Sequence, residues 1–119
     1  MLDWKMDFTW EILPRLLLAA GNTMLAAGGG YAVAVVLGLV FALAQRTRSR
    51  TLTFVVRELV EFVRSTPLLL QIFFIFYVGP QFGLRLSPWA AGLIAIGLHY
   101  AAYLSEVYRG GIENVPKGQ

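Results

Sequence analysis

The sequence has no cysteine, a single histidine and few charged residues. The lack of cysteine excludes disulfide frameworks, thiol catalysis and thiolate metal sites. The lone histidine has no carboxylate near it in the apolar stretches, so we expect no metal site there. No nucleophile–base pair or pair of catalytic acids can be assembled either, so we expect no catalytic residues and no enzyme activity of the chain's own.

Charge is scarce because the chain is dominated by apolar side chains. Charged residues make up 14% and hydrophobic residues 57% of the 119 positions, and the mean hydropathy is +0.63. A soluble chain of this size buries only about two-thirds of its surface, which is too little to hide so many apolar groups. Lipid is therefore the expected solvent. The net charge of +3 does not indicate nucleic-acid binding, because the basic residues are concentrated in one connection between apolar stretches.

Three apolar stretches are long enough to cross a bilayer. The first has thirty positions without a charge, Leu16 to Gln45, and we predict a span near residues 21–44 within it. Two further charge-free runs, 65–84 and 86–105, have twenty residues each. About twenty apolar residues are what a spanning helix needs. The sequence thus predicts an all-α integral membrane protein with three transmembrane helices.

The arginines predict how these helices are oriented. The connection at 46–64 carries five arginines, whereas the connection around 79–88 carries only Arg85. By the positive-inside rule the first connection is cytoplasmic. The N-terminus is then outside and the tail, 106–119, is cytoplasmic. We accordingly predict a multi-pass protein of the cell (inner) membrane.

The first connection has the pattern of an amphipathic helix. Its apolar residues follow helical spacing, while Arg57, Glu61 and Arg64 share the opposite side and are close enough to pair. Such a helix either rests at the cytoplasmic membrane face or acts as a gate or coupling element under the bundle. Ser65-Thr66-Pro67 then predicts a break, after which Thr66 caps a new helix that has Pro67 in its first turn.

Small residues form a stripe along the first predicted span. They recur at every fourth position, and the third span repeats the pattern more briefly from Gly97 to Ser105. In lipid, such stripes let two helices approach closely. The alternative is a segment that is simply rich in alanine and glycine. The predicted packing residues of the first span are Gly30, Ala34, Gly38 and Ala42.

Polar side chains inside the spans are rare and therefore candidates for function. His99 and Tyr103 are four residues apart and share a helix face, while Gln71 lies early in the second span and Asn22 opens the first. An embedded histidine is often a hydrogen-bonded structural residue, but burial of an ionisable group also marks functional sites. These four side chains are our candidates for the lining of a solute path.

Two motifs resemble a known family of transport proteins. The stretch EFVRSTPLLLQIFF (Glu61–Phe74) and the later stretch EVYRGGIENVPKGQ (Glu106–Gln119) resemble the permease subunits of binding-protein-dependent ABC importers of the polar amino-acid branch. Within that branch, ILPRLL (Ile12–Leu17) and GLHYAAYLSEVYRGGI (Gly97–Ile112) look most like ectoine and hydroxyectoine permeases.

The resemblance implies a larger assembly around the chain. Such permeases pair with a second permease subunit, identical or different, and receive solute from an extracytoplasmic binding protein. A cytoplasmic ATP-binding subunit drives them, so ATP is bound by the partner and the chain itself needs no cofactor. Solute crosses by alternating access. The expected fold is the first part of a type I ABC importer permease.

The resemblance also assigns a role to the tail. In the family, the matching positions form the approach to the loop that docks into the ATPase, and the acidic-alanine-alanine core of that loop follows them. We therefore interpret the chain as the first part of a permease; the alternative is an autonomous three-helix membrane protein, such as a regulator or pore former. The tail residues carried over are Arg109, Gly110, Ile112, Pro116, Gly118 and Gln119.

Overall fold

A computed structural model describes residues 5–118, and within that range every regular element is a helix or a helical turn. The all-α prediction is confirmed. Four α-helices are joined by short connections, and two irregular helical turns lie between the third and the fourth. The elements are α1 (Met6–Ala44), α2 (Arg50–Ser65), α3 (Leu68–Phe73), a π-helical turn (Phe74–Val78), a 3₁₀ turn (Gly79–Phe82) and α4 (Pro88–Glu113).

Two of these helices are by themselves long and apolar enough to cross a bilayer. α1 has 39 residues and α4 has 26, which correspond to lengths of about 58 Å and 39 Å. The first predicted span, near 21–44, forms only the C-terminal part of α1. The helix begins as early as Met6, so that it exceeds the roughly 30 Å of hydrocarbon in a bilayer.

The predicted second span, 65–84, is not one regular α-helix, because two irregular helical turns follow α3, and a sharp bend separates it from α2. The helices before and after residues 66–67 meet at 107°, and together they form a third candidate for a span. The predicted break at Ser65-Thr66-Pro67 is confirmed, since α2 ends at Ser65 and α3 begins at Leu68. The predicted role of Thr66 was wrong. Its hydroxyl donates to the carbonyl of Phe62, 2.7 Å away, so it closes α2 instead of capping α3.

Serine caps explain where the other helices begin. The Ser49 hydroxyl accepts a hydrogen bond from the N–H of Leu52, and the Ser87 hydroxyl accepts one from Ala90. Both bonds satisfy an N–H that has no partner within the helix. Pro88 follows directly as the first residue of α4, where its missing N–H costs nothing. This start signal places α4 two residues later than the predicted third span, 86–105.

The small-residue stripe of α1 lies against α4. Gly30, Ala34, Gly38 and Ala42 are all buried. A Cβ added to Gly30 would lie 2.5 Å from Cγ2 of Ile96, and one added to Gly38 would lie 3.0 Å from the carbonyl oxygen of Ala101. The earlier residue of α1, Gly30, meets the earlier residue of α4, Ile96, and the later residue, Gly38, meets the later one, Ala101. The two helices therefore run parallel. Their C-terminal ends therefore lie on the same side of the molecule, together with the arginine-rich start of α2.

α2 packs on this pair through three valines. Val56, Val60 and Val63 form a buried cluster with Ala102 of α4, and Phe41 of α1 packs against it. This is the predicted apolar face of the amphipathic connection. The opposite face carries the predicted Arg57 and Glu61, both exposed. α2 is thus attached to the bundle along one side only.

α4 continues beyond the predicted third span, 86–105, and into the tail as far as Glu113. Gly110 and Gly111 are both helical, although glycine has low helix propensity. Arg109 supports the helix here, since its guanidinium lies 3.1 Å from the Glu106 carboxylate and 3.8 Å from that of Glu113, one turn away on either side. Pairs at this spacing support a helix.

Replacing Gly30 by alanine is expected to destabilise the α1–α4 contact. The added methyl group meets the β-branched side chain of Ile96, which cannot swing aside within a helix. Overpacking of this kind costs about 1–3 kcal/mol. Thermal unfolding in detergent micelles, followed by circular dichroism, measures the loss.

Gly28→Ala is the matched control, because a Cβ at Gly28 meets nothing within 4 Å. That change gains helix propensity, about 0.5–1 kcal/mol, without a clash. Equal stability of the two variants would contradict the close approach of the two helices.

Candidate functional site

The predicted polar residues meet where α2 ends. Gln71 of α3 and Tyr103 of α4 both donate hydrogen bonds to main-chain carbonyls in the last residues of α2 and the turn that follows. His99 joins them through its ring, whose centroid lies 5.3 Å from that of Tyr103. Three of the four predicted path residues therefore share one region of the molecule.

Gln71 is engaged within the chain. Its Nε2 donates to the carbonyl of Val63 at 2.9 Å and to the carbonyl of Thr66 at 3.1 Å, so both amide hydrogens are used. Its Oε1 is buried and has no hydrogen-bond partner among residues 5–118. Only the acceptor of this amide remains available to a further group.

Tyr103 links α4 to α2. Its hydroxyl donates to the carbonyl of Arg64, 3.3 Å away, and the Arg64 guanidinium lies over the tyrosine ring, 5.4 Å from its centroid. A cation over an aromatic face is attracted by the ring's quadrupole. The same guanidinium pairs with Glu61 at 3.1 Å. One arginine therefore connects the charged face of α2 to the aromatic face of α4.

The predicted charged group on α2 is realised in part. Arg64 and Glu61 form the expected i,i+3 pair, while within the described chain no ion pair joins Arg57 to Glu61. Arg57 is exposed. The two predicted interpretations of α2, surface helix and gate, both remain predictions. Of the charged group, Arg64 contacts α4 through the Tyr103 ring.

His99 is the most deeply buried polar candidate. Its side chain is 8% exposed and packs edge-on against Tyr100, with ring centroids 5.2 Å apart. Its Nδ1 is buried and makes no hydrogen bond to any residue that the structure describes. Buried polar atoms normally have partners, so this unpaired nitrogen makes His99 a candidate for contact with a further polar group.

Asn22 does not belong to this group. It lies exposed on the N-terminal half of α1, whereas the other three candidates lie around the end of α2. A short polar side chain at a span entrance produced the prediction, and the 39-residue length of α1 explains why it fails to reach the others. Nothing in the described chain brings Asn22 into contact with Gln71, His99 or Tyr103.

The predicted coupling residues lie on the last turns of α4 and beyond it. Arg109 is held by its two carboxylates, Gly110 has no atom within 4 Å of an added Cβ, and Ile112 is half-buried. Pro116 and Gly118 are exposed, and the φ of +103° at Gly118 requires glycine. Gln119 lies outside the described residues. The segment presents an open surface at the same end as the arginine-rich connection.

One contact at this end was not predicted. The hydroxyl of Tyr108 donates to the carbonyl of Val35, 3.1 Å away and 73 positions earlier in the sequence. It joins the C-terminal part of α4 to the C-terminal third of α1. No local sequence signal announces this bond, because the carbonyl of Val35 belongs to a featureless apolar run.

Across residues 5–118, no group of three or more His, Asp or Glu side chains could hold a metal ion. The polar groups are single, embedded in apolar surroundings and largely engaged with the main chain. Such a site can bind and orient a small polar solute or a helix end.

Sequence comparison identifies the family. Residues 34–119 match the family described as the binding-protein-dependent transport system inner membrane component. The chain belongs to this family. The match begins within the buried stripe of α1 and includes the bend, α4 and the tail. It favours the permease interpretation over an autonomous three-helix protein, and with the apolar helices it indicates a multi-pass inner-membrane protein.

Relatives within the family are permeases of amino-acid ABC transporters. A probable amino-acid ABC transporter permease of Sinorhizobium fredii, y4tG, is 44% identical over 97% of this chain and 50% of its own length. The L-cystine transport system permease TcyB of Bacillus subtilis is 44% identical over 71% of this chain and 36% of its own. The nopaline transport system permease NocM of Agrobacterium fabrum is 35% identical over 92% and 49%. The chain thus spans about half the length of these relatives.

A solved structure agrees with the fold. The crystal structure of an amino acid ABC transporter with histidines superposes with a TM-score of 0.80 and 27% identity, over 92% of this chain and 52% of the other. The arrangement of α1, the bend and α4 is therefore similar to the corresponding half of an amino-acid permease. The predicted fold, the first part of an ABC importer permease, is confirmed.

Replacing His99 by phenylalanine is expected to separate stability from function. The ring stacking is kept and a buried atom without a partner is removed, so the unfolding temperature should stay the same or rise. Solute uptake by cells should fall if the imidazole meets the solute. Thermal unfolding and uptake are measured on the same variant. Tyr100→Phe, which removes one oxygen from an exposed neighbour, is the control.

A large loss of stability with unchanged uptake would show instead that His99 is a structural residue. An equal effect of Tyr100→Phe on uptake would show that the effect is not specific to the imidazole.

Proposed function

We propose that the chain is the first part of a membrane-spanning permease subunit in an ATP-driven, binding-protein-dependent importer for polar amino acids. The observation that carries the proposal is the family match over residues 34–119. The relatives named for cystine and nopaline transport indicate solutes that are small, polar and zwitterionic. A few polar groups in an apolar bundle suit such solutes, since they fix orientation without a large polar cavity.

The proposed assembly has four kinds of component. A cytoplasmic ATP-binding subunit supplies the energy, a second permease subunit completes the pathway, and an extracytoplasmic binding protein delivers the solute. The chain itself contributes helices and no ATP site. The second permease is either a further copy or a related chain.

The proposed mechanism is alternating access, in which helices reorient around a fixed site. α1 and α4 move as one unit in this mechanism, because their backbones are in close contact at Gly30 and Gly38. The tail of α4, Arg109 to Gly118, carries motion from the ATP-binding subunit. His99 is the proposed solute contact within the bundle, because its Nδ1 has no partner among the described residues.

The proposed solutes are polar amino acids, with ectoine and hydroxyectoine as the narrower candidates. The narrower assignment rests on the resemblance of Ile12–Leu17 and Gly97–Ile112 to ectoine permeases. Ectoines are compact zwitterions of a size similar to amino acids. A single imidazole N–H would donate a hydrogen bond to the carboxylate of either.

Uptake of labelled solutes tests the proposed function directly. Cells in which the gene is deleted should lose uptake of a labelled polar amino acid, and the restored gene should return it. Unlabelled ectoine, glutamine and cystine are then added as competitors. Strong competition by ectoine would support the narrower assignment, whereas ectoine that does not compete would remove it. Unchanged uptake of every solute in the deletion strain would contradict importer function.

Replacing Gly110 by leucine is expected to uncouple ATP hydrolysis from uptake. Gly110 has open space around it in the chain, so the larger side chain leaves insertion and stability unchanged and obstructs only a partner docked on α4. In the purified importer in liposomes, uptake should fall at least about tenfold, which corresponds to roughly 1.4 kcal/mol of lost coupling. ATP hydrolysis should persist.

Gly92→Leu is the control, because that glycine also has open space but lies at the other end of α4. Normal uptake by Gly110→Leu would count against a coupling role for the tail.

A further inference from the structure

The turn between α2 and α3 has main-chain carbonyls that find no partner inside α2. The last turn of any helix leaves four carbonyls without partners inside that helix. Here the chain also turns by 107°, and Pro67 has no N–H to offer. Carbonyls of this kind are costly to leave unpaired near the apolar part of a membrane, where water is scarce.

Side chains satisfy these carbonyls one after another. The Thr66 hydroxyl donates to Phe62, and the Thr66 N–H donates to Val63 at 3.3 Å. The remaining bonds come from outside α2. Gln71 reaches back from α3 to two of the carbonyls, and Tyr103 reaches across from α4 to Arg64. The bend is thus closed by donors from the turn itself, from α3 and from α4.

The two outside donors constrain different things. Gln71 bonds to one carbonyl within α2 and one in the turn, so its amide bridges the two arms of the bend. The Gln71 amide keeps both hydrogen bonds only if α2 and α3 keep their direction relative to each other. Tyr103 belongs to α4, which is packed along α1. Its hydrogen bond therefore fixes the position of the end of α2 relative to the α1–α4 pair.

We propose that Gln71 and Tyr103 are positioning residues that hold the bend between α2 and α3 and tie its angle to α4. The amide hydrogens of Gln71 and the hydroxyl hydrogen of Tyr103 are committed to carbonyls, so neither donates to a solute in this conformation. The valine cluster of α2 sets the distance between the helices. The hydrogen bonds and the Arg64 guanidinium over the Tyr103 ring set the direction.

The consequence for transport rests on the proposed function. From Tyr103, α4 continues for ten residues to Glu113, within the segment proposed to meet the ATP-binding subunit. A displacement of that segment moves the hydroxyl of Tyr103 relative to Arg64. The bend then opens or closes in step with α4, and α3 changes its direction in the membrane.

Spin labels on the two arms of the bend test the positioning role without any need for transport. The chain has no cysteine, so two introduced cysteines are labelled uniquely. Phe54→Cys on α2 and Phe74→Cys beyond α3 are suitable, because both side chains are about 60% exposed, at 62% and 61%. Pulsed dipolar spectroscopy of the full chain in lipid nanodiscs gives the distribution of distances between the labels.

A single narrow distribution is expected in the labelled parent. Tyr103→Phe removes one oxygen and Gln71→Met removes both donors at nearly constant shape, and each should broaden or shift the distribution. Tyr100→Phe should leave it unchanged, because that ring lies beside His99 and Tyr103 but bonds no α2 carbonyl among the described residues. Parent-like distributions in both Tyr103→Phe and Gln71→Met would overturn the proposal. Tyr103→Phe, which changes one atom, decides the matter if Gln71→Met fails to insert.

Uptake kinetics then separate positioning from solute contact. If Tyr103 positions the bend, Tyr103→Phe lowers the maximal uptake rate, by about fivefold for one ordinary hydrogen bond, and leaves the half-saturating solute concentration unchanged. A raised half-saturating concentration with an unchanged maximal rate would make Tyr103 a solute contact and overturn its positioning role. A shifted distance in a chain that imports nothing would overturn the proposed function and leave the positioning role intact. If both variants keep the parent's distances in an importer that transports solute, the positioning role is overturned and the proposed function stands.

Discussion

The close contact between α1 and α4 is the constraint on which the other helices depend. Apolar side chains gain little from one another in lipid, so two helices associate through close packing of small residues. Gly30, Gly38 and Gly97 provide it, and at each of them a methyl group would meet an atom of the other helix. The Tyr108 hydroxyl adds a hydrogen bond between these two helices, and α2 packs on the pair through its valine cluster. Without it, neither the valine cluster nor the bend would have a fixed support.

The second constraint is the pairing of main-chain carbonyls at the bend. A membrane protein tolerates a broken helix only where other groups satisfy the freed backbone. The polar side chains near the end of α2 do this, and their scarcity elsewhere follows from the apolar solvent. A polar side chain inside a span can therefore serve either of two partners: it contacts a solute, or it hydrogen-bonds to a main-chain carbonyl. Gln71 and Tyr103 donate to main-chain carbonyls. The Nδ1 of His99 has no hydrogen-bond partner among the described residues.

Much of this was accessible from the sequence, and the parts that were not share a physical cause. Apolar runs and regular small residues are local patterns, so the helices and the stripe from Gly30 to Ala42 followed from them. The motif with Pro67 located the break, but its 107° angle depends on bonds between elements far apart in sequence. α4 continues through Gly110 although glycine has low helix propensity, and the two carboxylate pairs of Arg109 offset only part of that cost. Asn22 lies apart from the other three candidates, because polarity alone carries no direction around a helix.

The parallel pairing of α1 and α4 also has a consequence for biogenesis. Gly38 finds its partners Ala101 and Leu104 only after roughly 60 further residues have been synthesised. At 5–20 residues per second, that is a delay of about 3–12 s. During this interval α1 stands in the membrane with its small-residue face uncovered. Insertion must therefore leave α1 near the site where α4 later emerges, so that a nascent helix meets its own partner before it meets a neighbour's.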